Sequence, residues 1–67
     1  MSDKEVYLLR AAEARADAET ATLENVRERC LRAESAWIAM ADRVEHAEKL
    51  RAARIAEKEA AEAQPIE

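Results

Sequence analysis

Residues 23–47, LENVRERCLRAESAWIAMADRVEHA, decide the fold. Within them Leu23, Val26, Cys30, Ala33, Trp37, Met40, Val44 and Ala47 recur at alternating intervals of three and four. Positions that return every 3.5 residues stay on one side of an α-helix, so this is the seam of a helix packed at a shallow angle on another. Leu31 and Ile38 stand one position past Cys30 and Trp37 and broaden the apolar side beyond a two-stranded seam. A side that broad touches more than one neighbour. The candidate core and interface residues are therefore Val26, Cys30, Trp37, Ile38, Met40, Val44 and Leu50. After Ala47 the pattern falters: Arg51 and Arg54 take the next seam positions, while Leu50 and Ile55 continue the apolar surface at a shifted angle.

Upstream, Tyr7, Ala11, Ala14, Ala18 and Ala21 form a thinner stripe with the same spacing. Ser2 or Asp3 is placed to cap this first helix, with Glu5 near the positive end of its dipole. Between the two patterns, Thr20-Ala21-Thr22-Leu23-Glu24-Asn25 is the one weak stretch, because threonine and asparagine are poor helix-interior residues and good caps. Thr22 is the candidate cap of a second helix. The expected organisation is one domain, residues 1–67: helix 3–20, turn 21–23, helix 23–62 and a frayed tail at 63–67, where Pro65 must stop the helix. The competing reading is one uninterrupted helix from residue 3 to about 62, since no glycine marks a stop and Asp17 and Glu19 oppose the dipole at the first helix's end.

If the chain reverses at 21–22, Val6 and Tyr7 meet Trp37 and Ile38, and Ala14 and Ala18 face Cys30 and Val26. That register uses the second helix only to about residue 41, leaving Val44, Leu50 and Ile55 without an intrachain partner. The fold class expected is all-α: an antiparallel two-helix hairpin with a short first and a long second helix, assembling into a four-helix bundle or coiled coil.

Composition agrees. The 67 residues include no glycine and one proline, and 17 of the hydrophobic positions are alanine, which buries little area. Large apolar side chains are too few for a lone hairpin to be more than marginally stable. The net charge of -4 is spread evenly, so neither half is a basic arm for nucleic acid or an anionic membrane. The longest apolar run, residues 36–41, is far too short for a bilayer, and the charged start, with no apolar stretch behind it, is no signal peptide. A single cysteine, Cys30, fits a reducing compartment. A soluble, cytoplasmic protein is expected.

Candidate chemistry is sparse. Asp42 and His46 share a side at i, i+4, but a carboxylate-bundle metal site wants Glu-x-x-His, and Arg43 stands in the glutamate's place. Cys30 on the seam reads as a buried thiol. Arg27, Arg29 and Arg32 form a small basic cluster with Glu24 and Glu28 interleaved; Glu28 and Arg32 are spaced for an i, i+4 ion pair. No phosphate-cradling glycine loop and no serine-histidine-acid set can be assembled. No catalytic, cofactor or metal residue is expected, and no enzyme.

At Tyr7-Leu8-Leu9-Arg10-Ala11-Ala12-Glu13, then Ala21-Thr22-Leu23-Glu24-Asn25-Val26-Arg27-Glu28-Arg29 and Ala36-Trp37-Ile38-Ala39-Met40-Ala41-Asp42-Arg43, the chain resembles a group of small uncharacterised alanine-rich helical proteins of alphaproteobacteria with no assigned activity. The likeness spans about residues 7–50. It implies a bacterial, cytosolic helical hairpin and carries over no functional residue. Three functions are compatible with this reading: a structural or interaction module that self-associates, as a homodimer or other homo-oligomer, through its apolar helix side; a regulatory adaptor or inhibitor that folds fully on a different protein; and, weakest, a nucleic-acid contact through the three arginines.

Overall fold

The computed structural model describes residues 1–63, which fold as two helices packed against each other with no strand among them. Helix α1 spans Asp3–Thr20 and helix α2 spans Glu24–Ala63. The expected frayed tail lies, past Ala63, outside the described residues. At 18 residues α1 is about 27 Å long and at 40 residues α2 is about 60 Å. The molecule is accordingly a flat rod of 71 × 20 × 11 Å.

Each helix starts for a local reason. Ser2 has an extended backbone and its Oγ accepts from the Glu5 N–H at 3.2 Å, with Asp3 and Glu5 in the first turn where the dipole favours anions. The serine and the glutamate three residues later have capping-box spacing. At the start of α2 the expectation of a Thr22 cap fails. The Leu23 carbonyl accepts from the Arg27 N–H at 3.0 Å, so Leu23 holds the capping position and Glu24 opens the helix. Leu23 has no side-chain oxygen to offer.

The reversal needs no glycine. Ala21 leaves α1 in an ordinary extended conformation, and no residue of the described chain has a positive φ. Two side chains reach back to carbonyls at the end of α1. Thr20 Oγ1 donates to the Asp17 carbonyl at 3.2 Å, and Arg27 Nη2 donates to the Ala21 carbonyl at 3.4 Å. Helix ends leave such acceptors unpaired, so these contacts stand in for the missing left-handed cap.

The contact between the helices is made of small residues. Among the described residues only Ala11, Ala14, Ala18 and Ala41 are buried, Ala18 at 3% and Ala41 at 2% exposure, and no large side chain is fully enclosed. The α1 stripe holds as spaced, with Tyr7 and Ala21 half-buried at its ends. On α2, Val26, Cys30, Ala33, Trp37, Met40 and Val44 are half-buried, whereas Leu23 and Ala47 at the ends of the seam are exposed. The Tyr7 and Trp37 rings stack with centroids 5.9 Å apart and close the open end of the hairpin.

The shielded part of α2 is longer than the reversal point alone predicts. Lys4 reaches Glu45 at 3.8 Å and Arg15 reaches Glu34 at 3.6 Å. Coverage thus extends to about residue 45, and Val44 gains partial cover. Side chains on both helices tilt toward their own N-termini, so α1 reaches away from the turn while α2 leans toward it. Partners therefore lie farther along α2 than equal Cα distances from the turn would place them. Beyond Glu45, every described residue of α2 is exposed.

Candidate interaction surface

Two rows of side chains run along α2, one on either flank of the seam. Residues three and four apart share a side of a helix, so each row can be followed by spacing. One comprises Arg27, Leu31, Glu34, Ile38, Ala41, Glu45, Lys49, Ala52 and Ala56; the other comprises Arg29, Arg32, Ala36, Met40, Arg43, Ala47, Arg51, Arg54 and Lys58.

The first is a paired row. Its charges are matched within the chain: Arg27 to Glu24 at 3.6 Å, Glu34 to Arg15, and Glu45 to both Lys4 and Lys49, the latter at 3.4 Å. Arg15 also meets Glu19 at 3.7 Å, on the side of α1 that Leu8 shares. Between these charges Leu8 and Ile38 stay exposed, Ile38 at 40%, and Leu31 half-buried. Near the turn, Arg15, Ala18, Glu19, Arg27 and Leu31 line an open groove of about 240 Å³.

The second is a basic row. It holds Arg29, Arg32, Arg43, Arg51, Arg54 and Lys58 and no carboxylate. Among the described residues none of these six takes part in an ion pair, whereas each of the other five cations does. The expected Glu28–Arg32 pair is not formed. The expected arginine cluster is divided as well, since Arg27 turns to Glu24 and the Ala21 carbonyl on the opposite flank. A phosphate contact by Arg27, Arg29 and Arg32 together loses its geometry.

The candidate interface residues also divide. Val26, Cys30, Trp37, Met40 and Val44 lie half-covered by α1, while Ile38 on the paired row and Leu50 on the free part of α2 are open, Leu50 at 45%. Leu50, Ile55, Leu8 and Leu9 are among the large apolar side chains left exposed. Leu8 and Leu9, expected to close the far end of the hairpin together with the aromatic pair, are instead exposed, because neither falls on the alanine stripe that faces α2. Ala41, the most buried residue of α2, was equally hidden from a seam built on large side chains.

Among the described residues no group of three or more histidines, cysteines or carboxylates could hold a metal ion, and His46 is exposed. Cys30 is a free, half-buried thiol. No described helix is long and apolar enough to cross a membrane. No protein-family model matches the chain, and no curated protein or solved structure is significantly similar to it.

Proposed function

We propose that this chain is a non-enzymatic interaction module that works by self-association in a cytoplasmic setting. One observation carries the reading: the only buried residues of the described chain are four alanines, while the large apolar side chains lie half-covered or open. Alanine contacts bring backbones close but remove little apolar area from water, and area is what offsets the entropy of ordering a chain. A second surface is needed to bury Ile38 and its neighbours. A second copy meets that need without any further component, and closed homo-oligomers are the commonest assemblies. The lone half-buried thiol is in keeping with a reducing compartment.

Sedimentation of the full chain across micromolar concentrations tests this, with helicity followed in parallel. An oligomer whose melting temperature rises with concentration is expected. A fully helical monomer at every concentration defeats the proposal. Low helicity that rises only when another protein is added would instead make the chain an adaptor.

A further inference from the structure

We infer that the free part of α2, residues 46–63, is a docking arm that lies antiparallel along the paired row of a second copy's α2. This rests on the self-association proposed above and adds which surfaces meet. The first ground is length. The arm begins just past Glu45, the last residue of α2 tied to α1, and it has 18 residues, as many as α1 itself. Antiparallel α2 helices crossing a two-fold axis near Glu45 therefore place each arm over the stretch of partner helix that α1 already flanks. Each end of the assembly becomes a three-helix unit of α1, α2 and a borrowed arm.

Charge chooses the side. A two-fold axis brings a surface against itself. The basic row would then set Arg43, Arg51 and Arg54 against a like row, which opposes association. The paired row carries its charges already neutralised within each copy. Even Glu45, next to the axis, arrives flanked by Lys4 and Lys49 of its own chain. Shape agrees with charge. In this register the open Ile38 of one copy meets Ala52 of the other, and Ala56 falls against Glu34, already paired to Arg15 of its own chain. Small residues of the arm, Ala52 and Ala56, lie against the hairpin, which lets the helices approach closely.

The area is sufficient. Two contacts about 27 Å long and about 10 Å wide, counted on both surfaces, cover on the order of 1,000 Å². That is the lower bound for a specific interface.

The test uses the full chain with Cys30→Ser, carrying Ile38→Cys and Ala52→Cys together, oxidised and run without reductant. A cross-linked dimer is expected, and none from a control pairing Arg43→Cys with Ala47→Cys on the other flank. In sedimentation, Ala52→Glu and Ile38→Glu should each convert dimer to monomer and lower the melting temperature, while Arg43→Glu leaves the dimer intact. Ala52 is exposed in the single chain, so its loss of association cannot be a failure to fold. A monomeric parent chain sinks self-association itself. A dimer that survives both glutamates, or that cross-links through the basic row, overturns this arrangement and leaves self-association standing.

Discussion

The two halves of α2 are built from the same few residue types and live in different surroundings. From Glu24 to Glu45 the helix has a companion: Ala41 is sealed, Trp37 stacks on Tyr7, and ion pairs cross to α1. From residue 46 onward all that is described is exposed, and no ion pair leaves the helix. Helical propensity is high throughout, so it explains why both halves are helical and nothing about why one is sheltered. What separates them is the reach of an 18-residue partner. Tertiary cover, more than local preference, determines how firmly a helix is held.

The contrast can be broken hardest at the alanine seam. Ala18→Glu should cost at least about 3 kcal/mol by forcing a charge between the helices, and should unfold the hairpin in a urea or thermal melt. The same change at exposed Ala56 should leave helicity as it is. Next in size is Trp37→Ala. Full burial would put its cost at about 3–5 kcal/mol, but Trp37 is only half-buried, which lowers the expectation to about 2 kcal/mol. A double-mutant cycle with Tyr7→Ala should return about 1 kcal/mol of coupling from the stack. Ser2→Ala removes the cap of α1 and should cost about 1 kcal/mol in a thermal melt, with amide exchange quickened in the first turn. Smallest is Lys4→Gln, whose half-exposed pair with Glu45 is worth less than about 1 kcal/mol and should vanish in high salt. Hydrogen exchange sharpens the comparison directly. Amides of 24–45 should be protected at all concentrations, and those of 46–63 only where the chain associates.

Much of this fold was legible in the residues. The three-four spacing of Val26, Cys30, Trp37 and Met40 gives a helix with a preferred side, and the Thr20–Asn25 stretch marks the reversal. The aromatic pair at the open end follows from counting outward from the turn. Two things were not legible. The cover ran several residues farther along α2 because long charged side chains lean toward helix N-termini, a tilt that residue spacing does not carry. Spacing already puts Arg27 and Arg29 on different sides of the helix, but which cations find partners depends on where α1 lies, and the reach of Arg27 to the Ala21 carbonyl was not visible beforehand. The candidate surface was therefore half visible. Ile38 and Leu50 remain open, but the seam residues beside them are largely claimed by α1.

A contact sealed by four alanines has an asymmetry of its own. Almost any replacement at Ala11, Ala14, Ala18 or Ala41 adds volume, and a well-packed site resists added volume. Chains that drift at these positions can only push the two axes apart. Because Tyr7 and Trp37 sit at the far end of the same pair, a wedge near the turn would open there as a change in tryptophan fluorescence. The spacing of this hairpin is thus a quantity that light can report.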